Sequence, residues 1–324
     1  MHLQPLVRGL GAVGVAAVAG VGYATLEARA FTLRRFTLPV LPAGTPSLRV
    51  LHVSDLHLVP RQRRKAAWLR SLVRLEPDLV VSTGDNLAAT DAVPAVLDAY
   101  GELLRRPGVF VLGSNDYWGP RPKNPARYLL PQGGERRIVG VRLPTEKLVA
   151  GLREAGWLDL TNRRDALDVA GVRLAFVGVD DPHMGWDRYP APDERASCEP
   201  APGERAALTI GVLHAPYRRV LDAMTADGAK LLLAGHTHGG QLRLPGVGAL
   251  VTNSDLPPRQ ARGVSAWPTV HGSEAHGGHD READRWQGRE GTTLHVSAGL
   301  GTSPYTPVRF ACRPEASLLT LSAA

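Results

Sequence analysis

Leu48-Arg49-Val50-Leu51-His52-Val53-Ser54-Asp55-Leu56-His57 decides the fold. Its first six residues form an apolar run of strand length, and a carboxylate and an imidazole, Asp55 and His57, stand just beyond it. Outward from this stretch the pattern repeats. Lys65 to Leu75 has helical spacing through Ala66, Leu69, Leu72 and Val73, with Pro77 after its end. Asp78-Leu79-Val80-Val81-Ser82 is a second strand, ending at Asp85. Asp91 is placed to cap a helix running toward Arg105, with Pro94 in its first turn. Val109-Phe110-Val111-Leu112 is a third strand, ending at Gly113. A β-α-β-α-β run with short connections predicts an α/β fold on a largely parallel sheet buried on both faces. Strand-like runs return at 173–179, 208–213, 230–234, 293–297 and 317–321.

Polar clusters close these runs in order: Asp55-Leu56-His57, Gly84-Asp85-Asn86, Gly113-Ser114-Asn115-Asp116, His214 and Gly235-His236-Thr237-His238. Parallel sheets gather functional groups at the carboxyl ends of their strands, so all five can converge on one point. Asp55 and His57, one residue apart, can offer an oxygen and a nitrogen to one metal from a single loop. Asp85 follows a glycine that permits a sharp turn, and its two oxygens can bridge two ions. His236 and His238 repeat the i, i+2 logic, between glycines that allow close backbone approach. Taken singly, His214 reads as readily as a structural histidine, and Asp85 as a turn or cap residue. The ordered set is what points to a two-metal hydrolase. His52, inside its strand, belongs to the core or to the surroundings of the site.

With these residues the chain resembles the calcineurin-like metallophosphoesterase superfamily, and within it a bacterial membrane-associated branch. The family's succession is D-x-H, G-D, G-N-H-[DE], a lone H and G-H-x-H. The longer stretches Gly235 to Gln241, Gly299-Leu300-Gly301-Thr302-Ser303 and Arg309-Phe310 add to the likeness, which covers about residues 47–321. The resemblance implies a four-layer α/β/β/α sandwich over residues 47–324. It also implies hydrolysis of a phosphoester by a hydroxide shared between two divalent ions. Asp55, His57, Asp85 and His238 would hold the first ion. Asp85 would bridge to the second, held by His214, His236 and the asparagine of the third motif. Mixed nitrogen and oxygen donors suit Mn²⁺, Fe or Zn²⁺ better than Mg²⁺ or Ca²⁺.

The third motif departs from the family. In strict register Ser114 stands where the metal-binding asparagine belongs, and Asn115 where a histidine assists catalysis. Either a small backbone shift lets Asn115 reach the second ion, or Ser114 or water fills that place and Asn115 only hydrogen-bonds the phosphoryl group. The expectation adopted is Asn115 as ligand, with Asp85 and Asn115 as the catalytic pair. General acid help, typically ~10²–10⁴-fold, then has no obvious donor. Asp116 reads equally as a turn-stabilising residue. Asp180-Asp181-Pro182-His183 follows a strand, bordering the substrate pocket or capping a turn.

The remaining features bound the reading. The chain has 324 residues, a net charge of +7 and two cysteines without a CxxC spacing. The basic balance favours anionic substrates, but no aromatic-interleaved basic stretch marks a nucleic-acid groove. Gly9 to Thr25 carry no charge, a run at the short edge of the about 17–25 residues that span a bilayer. Residues 1–30 are therefore expected to be a single-pass membrane anchor or signal segment, the anchor being preferred. Ala28-Arg29-Ala30 offers the signal-peptide alternative its cleavage site, and the side of the membrane stays open. Residues 31–46, with Pro39 and Pro42, read as a connector. Gly9-Leu10-Gly11-Ala12-Val13-Gly14 matches a dinucleotide fingerprint in form only, because no strand precedes it. Residues 117–144 are expected to form a lid or insertion, and His271, His276 and His279 a solvated loop. A phosphoester substrate, lipid-linked or envelope-derived, is the expected partner. A sensing module with weakened catalysis and a membrane-bound nuclease are the rival functions.

Overall fold

In the strand Leu48–Val53, Leu48 and Val50 face one side, Leu51 and Val53 the other, and all four are fully buried. A strand apolar on both faces must be covered twice. The computed structural model, which describes residues 18–122, 140–191, 206–244, 247–268, 284–285 and 291–324, shows what covers it.

In chain order the strands are β1 (Thr32–Leu41), β2 (Leu48–Val53), β3 (Leu79–Ser82), β4 (Gly108–Phe110), β5 (Leu158–Asp159), β6 (Arg163–Val169), β7 (Val172–Gly178) and β8 (Leu208–Val212). They continue with β9 (Leu231–Ala234), β10 (Arg243–Leu244), β11 (Gly248–Ala249), β12 (Gly263–Trp267), β13 (Asp284–Arg285), β14 (Thr292–Val296) and β15 (Glu315–Ala323). One sheet has the order β13-β1-β15-β2-β3-β4-β5, a second the order β12-β14-β9-β8-β7-β6, and β10 pairs with β11. In the first, β2 to β5 are parallel, while β15 runs antiparallel to β2 and parallel to β1. In the second, β7, β8, β9 and β14 are parallel, with β6 and β12 antiparallel at the edges. The expected parallel sheet is thus two mixed sheets with parallel centres.

The helices are α1 (residues 18–27), α2 (Arg63–Ser71), α3 (Val93–Tyr100), α4 (Ser114–Tyr117), α5 (Thr145–Glu154) and α6 (Arg218–Ala226). Between the sheets, Leu48, Val50, Leu79 and Val81 meet Leu174, Phe176, Ile210, Leu231 and Leu233. On the outer face of the first sheet, Ala66, Leu69, Val96, Leu148 and Leu152 of α2, α3 and α5 cover Leu51, Val53, Val80 and Phe110. On the outer face of the second, Val220, Leu221 and Met224 of α6 cover Leu232, Ala234, Leu294 and Val296. This is the four-layer α/β/β/α sandwich.

The single-pass membrane anchor is not supported. Among the described residues no helix is long and apolar enough to cross a membrane. α1 is a short helix whose end docks on the sandwich. Glu27 is buried and accepts the amides of Ala311 and Cys312, Ala24 O accepts Arg309 N–H, and the Tyr23 ring packs edge-on against Phe310 at 5.4 Å. Most of the Gly9 to Thr25 run, including the Gly9–Gly14 fingerprint match, lies outside the described residues.

The connector over 31–46 is corrected too. β1 occupies most of it, burying Phe36, Leu38 and Leu41, because β15 supplies a partner far away in sequence. Pro39 is accommodated where the β1–β15 register shifts, one of the few strand positions proline tolerates. Ala92, not Asp91, stands at the N-cap of α3, and no side chain caps it. The base of the 117–144 segment is pinned by an antiparallel bridge between Trp118 and Arg142, while 123–139 lie outside the described residues, as do His271, His276, His279 and Cys198.

Candidate metal centre

All five predicted clusters stand at the carboxyl ends of β2, β3, β4, β8 and β9, along one rim of the sandwich. The loops are hydrogen-bonded to one another beyond the sheets. Asp55 N–H donates to Gly84 O, His57 N–H to Asp85 O, and Gly235 N–H to His214 O. Turning so sharply puts Asp55, His57, Asp85, His236 and His238 all in the left-handed region, at φ between 40° and 69°. Side chains adopt that region at a cost of about 1–3 kcal/mol each, and such residues concentrate at functional sites.

The imidazoles are aimed. His214 Nδ1 donates to Thr83 O at 2.7 Å, His236 Nε2 to Asn253 O at 3.1 Å, and His238 Nδ1 to Gly301 O at 3.2 Å. Each bond spends the outward N–H on a backbone carbonyl and turns the other ring nitrogen inward. The inward atoms crowd together: His236 Nδ1 lies 3.2 Å from His214 Nε2, and His57 Nε2 lies 3.2 Å from His238 Nε2. Fixing an imidazole through its far nitrogen is how proteins orient metal-ligating histidines.

The carboxylates lie between these rings. Asp85 Oδ1 is 3.5 Å from His214 Nε2 and Oδ2 is 3.4 Å from His57 Nε2. Asp55 Oδ1 is 3.7 Å from His238 Nε2 and 4.0 Å from His57 Nε2, and it is buried with no partner among the described residues. Ligand atoms of Asp55, His57 and His238 lie within 4.8 Å of one another, and so do those of Asp55, Asp85 and His214.

Burial dominates the electrostatics. It drives His57 down to about 4 and holds His236 and His238 well below the usual range, so these three rings are neutral and their inward nitrogens carry lone pairs. Burial also opposes charge on His214, yet Asp85, Asp181 and Asp55 outweigh it and hold that ring well above its ordinary value. Burial would raise Asp85, but His214, His57 and His236 keep it well below. Burial, against His214, leaves Asp55 at about 6. A desolvated site with neutral imidazoles at His57, His236 and His238, an ionised Asp85 and an unsatisfied carboxylate oxygen on Asp55 fits divalent cations. The mixed donors and the fixed ring orientations fit them as well.

Asn115 reaches the site as a donor. Its N–H goes to Asp85 Oδ1 at 2.7 Å and its Nδ2 to Asp85 Oδ2 at 2.8 Å. Ser114 Oγ lies 3.4 Å from the same amide nitrogen. Gly113 lets β4 approach this closely, since a Cβ there would meet the His214 ring at 2.7 Å. Asp180 to His183 do border the site: Tyr117 OH donates to Asp180, and the His183 ring packs 4.2 Å from that of His236.

Other residues hold the site together in roles that residue type alone does not announce. Asp116 is fully buried and gathers the amides of Asp85, Asn86 and Gly113 at 2.7–3.1 Å, joining the second cluster to the third. Arg309 is fully buried and donates to Ala298 O, Gly299 O and Gly301 O, holding the loop that orients His238. Lys65 is buried and donates to Leu56 O at 2.6 Å. Asp116 and Arg309 stand in the motif stretches without declaring these roles; at Lys65 the one signal is a long polar side chain in an otherwise apolar helical face.

A mixed α/β sandwich with a rim of carboxylates and aimed imidazoles defines a metallohydrolase architecture. The calcineurin-like phosphoesterase family profile matches residues 48–240, and the chain belongs to that family. It is therefore a phosphoesterase hydrolase. It is 28% identical to the uncharacterized protein YpbG of Bacillus subtilis over 253 residues, 75% of this chain and 81% of that one. It is 25% identical to the uncharacterized metallophosphoesterase YkuE of the same organism, over 98% of this chain and 96% of YkuE. It is 24% identical to the phosphodiesterase YaeI of Escherichia coli, over 96% of each chain. Among solved structures, the 5'-nucleotidase precursor of Thermus thermophilus aligns with a TM-score of 0.41 at 16% identity, covering 85% of this chain and 55% of that one.

Proposed function

We propose that the chain hydrolyses phosphoesters at a centre of two divalent ions, with residues 47–324 as the catalytic unit. Asp55, His57, Asp85 and His238 would hold one ion. Asp85, His214, His236 and Asn115 would hold the other. The observation that carries this reading is the aiming of His214, His236 and His238: each places its outward N–H on a backbone carbonyl, and the inward nitrogens of His214 and His238 lie beside carboxylates while that of His236 lies beside His214. The donor set favours Mn²⁺, Fe or Zn²⁺. Bound there, such ions supply Lewis-acid charge and water of lowered pKa.

The chain's own residues do the rest. Asp85 is held ionised by His214 and is fixed on both oxygens by Asn115, so its position does not depend on solvent. Among these mostly buried residues Asn115 and His183 are half-buried, and they would flank an entering phosphoryl group. Asn115 offers that group a hydrogen-bond donor. YaeI's description as a phosphodiesterase puts diesters first among substrates; a lipid-linked or envelope phosphoester is the class to extend to.

The test is turnover of aryl phosphate mono- and diesters by metal-stripped protein with Mn²⁺ added back, beside an Asp85→Asn variant. The expected result is Mn²⁺-dependent hydrolysis in the wild type and its loss in the variant. Equal rates in the two proteins would refute the assignment and leave a binding or sensing role.

A further inference from the structure

His52 and His295 are imidazoles that the strand alternation turns into the middle of the sandwich. On β2, Leu48 and Val50 face the second sheet and so does His52. On β14, Leu294 and Val296 face α6, so His295 faces the first sheet. Both are fully buried, and their Nδ1 atoms lie 2.9 Å apart across the two sheets. Burying two imidazoles in an apolar layer is costly unless their hydrogen bonds are made. Burial also holds both rings neutral, His295 down to about 3 and His52 well below its usual range.

From His52 a continuous path leads to the rim. His52 Nε2 lies 2.9 Å from Thr83 Oγ1, Thr83 Oγ1 lies 2.7 Å from Ser54 Oγ, and Ser54 Oγ lies 2.5 Å from Asp55 Oδ2. Proton counting fixes its direction. An ionised Asp55 only accepts, so Ser54 spends its single proton there. Ser54 therefore accepts from Thr83, and Thr83 accepts from His52 Nε2–H. A neutral His52 then has a bare Nδ1, which accepts His295 Nδ1–H. His295 Nε2 is left bare, and it is indeed buried without a partner among the described residues.

We propose that His295, His52, Thr83 and Ser54 are positioning residues for Asp55, a one-way chain of four hydrogen bonds running from the core of the sandwich to the metal centre. This rests on the reading of Asp55 as a metal ligand. The chain occupies Asp55 Oδ2, which also accepts the His236 amide at 3.0 Å, and so leaves Oδ1, without a hydrogen-bond partner among the described residues, facing His57 and His238, where it would be free to bind a cation. Donors aligned in one sense polarise one another, and the shared direction strengthens the last bond. A leucine pair would fill the same layer but, having no polar atoms, could not transmit this constraint between sheets.

Two measurements on the full chain, stripped of metal, test the chain of bonds. In ¹⁵N-histidine-labelled protein, long-range ¹⁵N–¹H spectra should show His295 as the Nδ1–H tautomer and His52 as the Nε2–H tautomer. His295 found as the Nε2–H form would reverse the direction and overturn the proposal. This arm needs no substitution and so does not depend on any variant folding. In the second, Mn²⁺ binding is read by the electron paramagnetic resonance of the free ion. Thr83→Val, which keeps the shape but removes the link, should weaken Mn²⁺ about 10–100-fold, and Thr83→Ser, which keeps the hydroxyl, should restore it. If Thr83→Val binds like wild type while Asp55→Asn does not, the positioning role is wrong and the metal reading stands. If Asp55→Asn binds Mn²⁺ as tightly as wild type, the metal reading falls and the proposal with it.

Discussion

Asp116→Asn is the sharpest test of how the rim is assembled. The Asp116 carboxylate is a hub: Oδ1 accepts Asn86 N–H at 2.7 Å and Leu87 N–H at 3.3 Å, and Oδ2 accepts Asp85 N–H at 2.8 Å and Gly113 N–H at 3.1 Å. Asparagine has the same shape but one acceptor oxygen. Whichever way its amide turns, two backbone donors face an NH₂ group in a site closed to water. Each orphaned buried donor costs about 1–3 kcal/mol, so the substitution should cost about 2–6 kcal/mol. That is a large share of a total stability of about 5–15 kcal/mol. The measurement is urea unfolding followed by tryptophan emission at pH 8, above the value of about 7 to which burial and Asp85 push this carboxyl. Amide exchange at Asp85, Asn86 and Gly113 should accelerate in parallel. A loss under about 1 kcal/mol, less than a single orphaned donor, would show that the loops are held together by something else.

Gly113→Ala would push a methyl group into Asp85 Oδ1 and the His214 ring. Misplacement of this size should lower kcat/KM about 10²-fold with the circular dichroism unchanged, and wild-type turnover would count against the close approach. His295 stays neutral in the fold down to about 3, against an ordinary 6.5. The unfolded chain therefore binds the extra proton between those values, and stability should fall as pH drops from about 6.5 to about 3, by on the order of 4 kcal/mol. His295→Gln should flatten the acid limb of a stability-against-pH curve, and an unaltered limb would argue that the ring is protonated in place. Mn²⁺ at 100 times its dissociation constant should stabilise the fold by about 2.7 kcal/mol per site, a shift that a chelator reverses. An unchanged unfolding midpoint on adding and removing Mn²⁺ would contradict cation binding at the rim.

The centre of the fold was legible because burial on two faces writes itself into sequence. β2, β3, β8 and β9 are predominantly apolar and almost wholly buried runs, and each leads into the polar residues of the rim. β1 was not legible, because Leu38-Pro39-Val40-Leu41-Pro42 has the composition of a linker, and its partner β15 is remote along the chain. The N-terminal apolar run misled in the opposite sense. Uncharged residues suggested a span, but Glu27 bonding into 311–312 makes the end of α1 part of the sandwich surface. In the site, Asp55, His57, Asp85, His214, His236 and His238 declared themselves by residue type and position after a strand. What aims them did not. Thr83 O, Asn253 O and Gly301 O are backbone atoms, which no residue type advertises. Asp116 sat in view as a neighbour of the third motif, but only its four amide partners distinguish a hub from a turn residue.

The place of β15 between β1 and β2 has a consequence for how the molecule is made. About 270 residues separate the end of β1 from the start of β15, or roughly 15–55 s on a ribosome working at about 5–20 residues per second. Through that interval β1 lacks the strand it pairs with over nearly its whole length, and β2 has an open edge on the same side. Phe36, Leu38 and Leu41 must wait exposed beside it. Synthesis order and sheet order are therefore opposed. A stall before Glu315 leaves β1 without its long partner and β2 with an open edge, the kind of edge that recruits another nascent chain or a chaperone.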